Sequence, residues 1–415
     1  MGPGVAMRVG RLCSVFEPPR AALTGRARRF DPIGGMQNHT ACLTRALDAR
    51  GIRQHVVTTR PPGAPAVHRI GEGATVHRLG LPVPWARQCY APFAAARLHA
   101  LARGCDLVHA HLGEDLAVVP IALSVARRHR IPLVVTVHMS LMHTFVGTTT
   151  RTRAVRALGA PLERLGVGAA DAVIALTPRL AERLACGGVA AERVHVIPSG
   201  VEAARFAAPA EDRSPGGGAL RVGYVGRLCR QKGVTTVIDA LGRLAHPDTR
   251  LVLVGDGPAR GALERRAVRR GLRDRVEFTG FRHHDDIPAL LRSLDVLVLP
   301  SLCEELGSVL VEGMQAGVPI VASRTGGIPD ALGDAGVLVD AGDAGELAAA
   351  LDRLLGDPAA RAALSTRARR RATRFDWEHL AGEVLDVYDA VVGRHRATVA
   401  RHADRGRVAV PASPR

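Results

Sequence analysis

Lysine is all but missing from this chain of 415 residues: of its 56 basic side chains one is lysine, Lys232, and the rest are arginine. So general a use of arginine is a compositional bias, and the one position that departs from it stands out. Aromatic residues make up 3%, too few for the stacking platforms that hold single-stranded nucleic acid. No apolar run approaches the ~18–20 residues of a membrane span; the longest, such as LDVLVLP and IPLVVTV, stop far short. The seven cysteines (Cys13, Cys42, Cys89, Cys105, Cys186, Cys229, Cys303) are odd in number and contain no C-x-x-C. Neither a disulfide framework nor a thiolate zinc site is therefore expected, and reduced thiols fit the cytoplasm. His109 and His111 in DLVHAH have no further ligand cluster beside them in sequence, so no metal is expected. The first segment, VAMRVGRLCSVF, reads as a strand rather than a secretory leader.

What is present in excess is positive charge, +17 formally. Such an excess can serve nucleic acid or an anionic lipid surface. Here the arginines are spread over every segment without a recognition-helix pattern, so a nucleic-acid partner is not expected and membrane association is not favoured.

Short β-branched runs alternate with amphipathic segments: MRVGRLCSVF, QHVVTTR, DLVHAH, PLVVTVH, DAVIALT and VHVIPSG in the first half, then LRVGYVG, RLVLVGDG, RVEFTG, LDVLVLP, PIVAS and GVLVD. This alternation implies βαβ units and parallel sheets, an α/β fold. At AAPAEDRSPGGGAL the periodicity stops, and proline, glycine and charge mark a linker. The expected organisation is an α/β domain over 1–206, a linker over 207–219 and a second α/β domain over 220–377. A C-terminal helix over 378–395, able to pack back on the first domain, and a disordered basic tail over 396–415 follow.

In such sheets ligands bind beyond the carboxyl ends of the strands. After the first strand, FDPIGGMQNHT places Gly34 and Gly35 before a helix, where backbone amides and the helix dipole suit an anion; a glycine pair alone equally makes a turn. VGYVGRLCRQKG puts Arg227 and Lys232 five apart at the head of a helix, a planar fork and a compact charge that together suit a pyrophosphate. SLCEELGSVLVEGM places Glu304 on a loop, the amides of Gly307 and Ser308 at a helix start, and Glu312 about a turn inside. A carboxylate there suits the paired hydroxyls of a ribose; helix capping is the alternative, better suited to Glu304 than to Glu312. Cations for a diphosphate and an acid for a ribose describe a nucleoside diphosphate. His138 ends PLVVTVH, at the same edge of the first domain.

Taken together, GG after the first strand, TVH, IPSGVE, GRLCRQKG, GDGP, FTGF, PSLCEELGSVLVEGM, AGVPIVAS and GGIPD resemble the family 4 retaining glycosyltransferases, in order and spacing, over about residues 7–395. The resemblance implies a GT-B architecture: two Rossmann-like domains facing across a cleft, the nucleotide sugar mainly on the second and the acceptor mainly on the first. It implies transfer of a hexose with retention at the anomeric carbon, no cofactor and no essential metal. By the same resemblance Glu304 matches the donor-sugar carboxylate and Glu312 the ribose carboxylate. Arg227 and Lys232 match the diphosphate pair, Gly35 the glycine near the phosphates, and His138 the histidine that contacts the sugar. Backbone at Leu306, Gly307, Ser308 and Val309 would complete the donor contacts, with catalysis resting on His138, Glu304, Arg227 and Lys232. Where many relatives read EGFG this chain has Glu304, Glu305, Leu306 and Gly307, and Ser199 replaces asparagine, which leaves donor preference open.

FDPIGGMQ, TVHMSLMHT and EELGS look closer to the N-acetylglucosaminyltransferases that act on 2-deoxystreptamine in aminoglycoside antibiotic pathways than to mannosyltransferases, and related inositol-using glucosaminyl transferases share the donor and a cyclitol acceptor, which makes UDP-N-acetylglucosamine the expected donor. A cationic acceptor would favour acid near the cleft, where Glu305, Glu114 and Asp115 fall at strand ends; Met36, Gln37 and Glu305 are the expected acceptor contacts. The alternatives are a GDP-mannose-dependent mannosyltransferase working on a lipid or glycan at a membrane surface and, from outside the enzymes, a basic nucleic-acid-binding protein.

Overall fold

The computed structural model describes residues 6–22, 35–81, 89–113, 115–140, 150–206 and 219–407. Strands β1 (Arg8–Cys13), β2 (Arg53–Thr59), β3 (Val67–Ile70), β4 (Ala74–Leu79), β5 (Leu107–Leu112), β6 (Leu133–Val137), β7 (Ala172–Ala175) and β8 (Val194–Val196) form one sheet in the order β3-β4-β2-β1-β5-β6-β7-β8. Every pairing in it is parallel except that of β3 with β4. All residues of β5 and β6 are buried, because central parallel strands are covered on both faces. The covering helices are α1 (Gly35–Asp48), α2 (Ala91–Ala102), α3 (Val118–His129), α4 (Thr150–Gly168) and α5 (Pro178–Cys186).

After the short α6 (Ala203–Phe206) a second sheet is built from β9 (Arg221–Val225), β10 (Arg250–Val254), β11 (Val276–Gly280), β12 (Val296–Leu299), β13 (Ile320–Ser323) and β14 (Val337–Val339), all parallel in the order β11-β10-β9-β12-β13-β14. It is flanked by α7 (Val234–Leu241), α8 (Arg260–Arg269), α9 (Ile287–Arg292), α10 (Ser308–Ala316), α11 (Ile328–Leu332), α12 (Ala344–Gly356) and α13 (Pro358–Ala372). Strand order reverses between β1 and β5 in the first sheet and between β9 and β12 in the second. These are the switch points where doubly wound sheets open a crevice for ligands.

The last helix, α14 (Trp377–Arg407), leaves the second domain and returns to the first. Trp377, Leu380, Ala381, Val384, Val387, Tyr388 and Val391 join Val9, Leu43, Leu47, Leu107, Val134 and Ile174 in one buried cluster. The chain thus crosses between domains twice, and the crossings touch: the Val201 N–H donates to the Phe375 carbonyl at 2.8 Å, and the Trp377 N–H to the Val201 carbonyl at 3.1 Å.

Two features depart from the sequence expectation. The edge pair β3–β4 has no counterpart in it, since VHRI and ATVHRL carry histidine and arginine where an apolar alternation would show. The disorder expected from residue 396 is also wrong for 396–407, which continue α14. Extending a packed helix adds a hydrogen bond per residue without a new nucleation cost, and its surface is tied down by the His395 Nε2–Arg130 carbonyl contact of 2.7 Å and an Arg396–Asp106 ion pair of 2.8 Å. Among the described residues no helix is long and apolar enough to cross a membrane.

Candidate active site

The loops after β9 and β12 are hydrogen-bonded to each other. The Leu302 N–H donates to the Gln231 carbonyl at 2.8 Å, and the Gln231 amide donates to the Cys303 carbonyl at 3.3 Å. Gly233, with φ of 62°, makes the approach feasible: a Cβ there would lie 2.0 Å from the Pro300 carbonyl oxygen. The result sets Lys232, at the end of the turn before α7, against Glu304 in an ion pair. Glu304 Oε2 also accepts from Ser301 Oγ at 3.3 Å. Burial would lower the Lys232 ammonium, but the Glu304 carboxylate outweighs it and the net shift is upward, so the lysine stays charged. Arg227 lies exposed on the same loop, and among the described residues its guanidinium has no ion-pair partner.

Capping by a glutamate, the alternative for the acid loop, is not what forms. Helix α10 begins at Ser308 behind Gly307 with no side-chain cap; the Leu310 N–H donates to the Gly307 carbonyl at 2.8 Å, and the amides of Ser308 and Val309 keep their donors for something else. The start of α1 meets it across the domains: a Cβ on Gly35 would fall 2.3 Å from Ser308 Oγ. Two helices of 14 and nine residues thereby point their N-termini into one space, with neither first turn holding an acid. That convergence of partial positive charge, with Lys232 and Arg227 on the second-domain side, would suit an anion.

Glu312, one turn into α10, is 5% exposed. Its Oε1 accepts from His284 Nε2 at 3.0 Å. His284 Nδ1 faces Arg205 at 3.2 Å; arginine can only donate, so neutral His284 carries its proton on Nε2, toward Glu312. Burial opposes a charge on His284, yet the Glu312 carboxylate raises its pKa overall. The other carboxylate oxygen of Glu312 has no partner among the described residues. Arg205 continues to Glu202 at 3.0 Å and to Asp285 at 2.5 Å, and Glu202 to Arg45 of α1 at 2.5 Å, so this chain of charges runs from one domain into the other.

The first-domain side is built differently. His138 follows β6 and lies edge-on to His39 of α1, ring centroids 4.4 Å apart at 87°. Beneath it, between the sheet and the helices α1 and α14, is a polar layer: Arg11 of β1, His109 and His111 of β5, Thr136 of β6 and Tyr388 of α14, all buried. Arg11 donates to Thr44 Oγ1 at 2.6 Å and Gln54 Oε1 at 3.1 Å and contacts His111 Nε2 at 2.7 Å. His109 bridges Tyr388 OH (2.6 Å) and Thr136 Oγ1 (2.7 Å). His39 Nδ1 meets Ser199 Oγ at 3.0 Å. Burial first, then neighbouring positive groups, push His39, His109 and His111 well below the usual imidazole value and bring His138 down to about 3.

His39, His111 and His138 bring ligand atoms within 4.8 Å of one another, close enough to invite a metal. The donor set does not favour one. Arg11 occupies the lone pair of His111 Nε2, which leaves the proton on Nδ1, the atom 3.1 Å from His138 Nε2; a buried guanidinium beside a divalent cation would also be strongly unfavourable.

Of the remaining expected residues, Gly34 and Glu114 lie outside the described residues. Met36 packs toward Gly113, where an added Cβ would meet its sulfur at 2.8 Å, and Gln37 is buried. Asp115 is not a free acid for a cationic acceptor: it is 1% exposed and its Oδ1 accepts from the amides of Ala117 and Val118 at 2.7 and 3.2 Å, capping α3. Glu305 is half-buried, and burial raises its carboxyl to about 7, with Arg183 pulling the other way and Glu304 reinforcing the rise. Leu306 is buried in the core beneath α10. Sequence reading missed Arg11, His39, His284 and Tyr388. For His284 a signal existed, a polar RHHDD run after β11; Arg11 reads as an ordinary alternating strand position.

Two doubly wound domains, cations after β9, an acid loop after β12 and paired helix N-termini between them define a glycosyltransferase of GT-B architecture. Residues 33–205 match glycosyltransferase family 4 and residues 212–371 match the glycosyl transferases group 1, and the chain belongs to these family 4, GT-B glycosyltransferases. It is similar to the 2-deoxystreptamine glucosyltransferase of Streptomyces kanamyceticus, 36% identical over 388 residues that cover 87% of this chain and 100% of the relative. To the 2-deoxystreptamine N-acetyl-D-glucosaminyltransferase of Streptomyces fradiae it is 33% identical, with 97% of both chains covered. Among solved structures, a sucrose-phosphate synthase from Thermosynechococcus elongatus shares the fold, with a TM-score of 0.78 at 22% identity over 94% of this chain and 100% of that one.

Proposed function

We propose that this enzyme transfers a hexosyl group from a UDP-sugar, with retention, to a ring hydroxyl of a small aminocyclitol of the 2-deoxystreptamine type. The observation that carries the reading is the near full-length similarity to two enzymes named for that acceptor. UDP-N-acetylglucosamine is the donor first expected. Glucose as the transferred sugar is the second reading, favoured by the higher identity of the glucosyltransferase, 36% against 33%.

In this reading the diphosphate lies between the starts of α1 and α10, held by Arg227, Lys232 and the amides of Ser308 and Val309. Glu312 takes the ribose hydroxyls with the oxygen His284 leaves open, Glu304 holds the sugar, and His138 contacts it from the first domain. As the bond from the anomeric carbon to phosphate breaks, negative charge grows on the diphosphate, where fixed donors lower the barrier most. The acceptor oxygen bonds to the same face of that carbon, and its proton passes to the departing phosphate. No metal is required. Glu305, titrating near neutrality, would meet an acceptor ammonium on the first-domain side.

The test is a calorimetric titration with UDP, GDP and ADP in the absence of metal, followed by mass spectrometry of reactions of 2-deoxystreptamine with UDP-N-acetylglucosamine and UDP-glucose. Selective UDP binding and an acceptor one sugar heavier are expected. GDP selectivity would turn the reading to a mannosyltransferase, and no binding of any of the three would remove the nucleotide-sugar site altogether.

A further inference from the structure

Arg11 is fully buried, and among the described residues it touches only neutral acceptors. A guanidinium in the core without a carboxylate is costly, and stability gives no reason to retain one. Its geometry has a chemical consequence. Arginine has no lone pair to offer, so at the 2.7 Å contact with His111 Nε2 the arginine is the donor and the imidazole nitrogen the acceptor. Neutral imidazole carries one proton, which must then sit on His111 Nδ1. That atom faces His138 Nε2 at 3.1 Å, so His138 Nε2 accepts and the His138 proton sits on Nδ1. Among the described residues nothing bonds that Nδ1.

We propose that Arg11 is a positioning residue that sets the tautomer of His138 through His111, so that His138 meets the cleft as an N–H donor at Nδ1. The part of this that concerns the sugar rests on the function proposed above; the tautomer itself does not. Each link fixes the next because each imidazole has one proton to place. His138 then offers a hydrogen bond to a sugar hydroxyl or ring substituent without being able to act as a base from that atom. The layer below keeps the link rigid. His39 closes over His138, the His109 ring stacks against His111 with centroids 4.3 Å apart, and Tyr388 of the returning helix holds His109.

The experiment is nitrogen-15 NMR of the full-length protein labelled at histidine, with His111→Gln and His138→Gln spectra used to assign the two rings. The expected result is both rings neutral at pH 7 and both protonated at Nδ1. His138 protonated at Nε2 would overturn the proposal, whatever the enzyme's activity. Two variants test the first link. Arg11→Lys, which keeps an obligate donor, is expected to hold the His138 tautomer, whereas Arg11→Met is expected to let it exchange and to lower kcat/KM by about tenfold, the worth of a good hydrogen bond. Should Arg11→Met not fold, the parent and Arg11→Lys spectra still decide the matter. An Nδ1–H His138 in a protein that transfers no sugar would support the relay and sink the proposed function; sugar transfer by a protein whose His138 is Nε2–H would do the reverse.

Discussion

The two faces of the cleft handle buried charge in opposite ways. On the second domain the buried positive groups face acids: Lys232 with Glu304, and His284 with Glu312, whose carboxylate raises the imidazole. On the first domain a guanidinium and a group of histidines share one layer with hydroxyls, an amide and, among the described residues, no carboxylate partner, and the imidazoles are held neutral. Paired charges can change partner when an anion arrives, which suits a site that must take up and release a diphosphate. A layer of neutral imidazoles is instead ordered by where each proton sits, which suits a surface that must aim hydrogen bonds. The same sheet architecture has been filled with two electrostatic designs.

Acid separates them most strongly. His39, His109, His111 and His138 are depressed in the folded state, so they take up protons on unfolding once pH falls below their unfolded value near 6.5. Folding should lose on the order of 1.4 kcal/mol per histidine per pH unit below that point, and for His138 the loss continues down to about pH 3. His284 has the opposite sign: its raised value contributes stability at low pH that is lost as pH rises through its folded pKa. The layer outnumbers the pair, so the melting temperature is expected to drop steeply between pH 6.5 and 5; a flat profile there would mean that the imidazoles are not held neutral.

Removing one member of a pair comes next in size. Lys232→Ala should cost ~2–4 kcal/mol of transition-state stabilisation, the range for losing one fixed charged donor, read as kcat at saturating substrate. Turnover within a few-fold of the parent would take the lysine out of the diphosphate site. Glu312→Ala is expected to weaken UDP binding by about tenfold in calorimetry, as the loss of a good hydrogen-bonding acceptor would; unchanged affinity would remove it from the ribose. The smallest effect concerns Glu305, the acid raised to about 7. Acceptor KM should rise a few-fold as pH falls from about 8 to 6, because the protonated acid no longer attracts an ammonium, a modest interaction for a half-exposed group. Glu305→Gln should flatten that dependence, and an identical profile in the variant would place the acceptor elsewhere.

Much of the second-domain face could be read from the amino-acid sequence, because its candidate parts are contiguous: Arg227 and Lys232 lie in one loop, and Glu304, Gly307, Ser308 and Glu312 in one loop-to-helix stretch. Their strands announce themselves as β-branched runs, and glycine marks the turns. The first-domain layer could not, because Arg11, Thr44, Gln54 and His111 come from four elements up to 100 residues apart. Only the sheet order, with β1 between β2 and β5, makes them neighbours. An arginine in a strand, a tyrosine in an amphipathic helix and two histidines in DLVHAH each have an ordinary local explanation. For α14 the visible pattern was its apolar stripe, and the helix outlasts the stripe because hydrogen bonding, not periodicity, continues it.

The solitary lysine also makes this protein unusually selective toward reagents that modify side-chain amines. Any acyl group or cross-linker that consumes one must do so at Lys232, in the turn proposed to hold the diphosphate, half-buried against Glu304 and held as an ammonium. Such a group reacts slowly while the pair is intact, so the extent of lysine modification becomes a direct, label-based readout of whether that ion pair is closed, opened or replaced by a bound nucleotide.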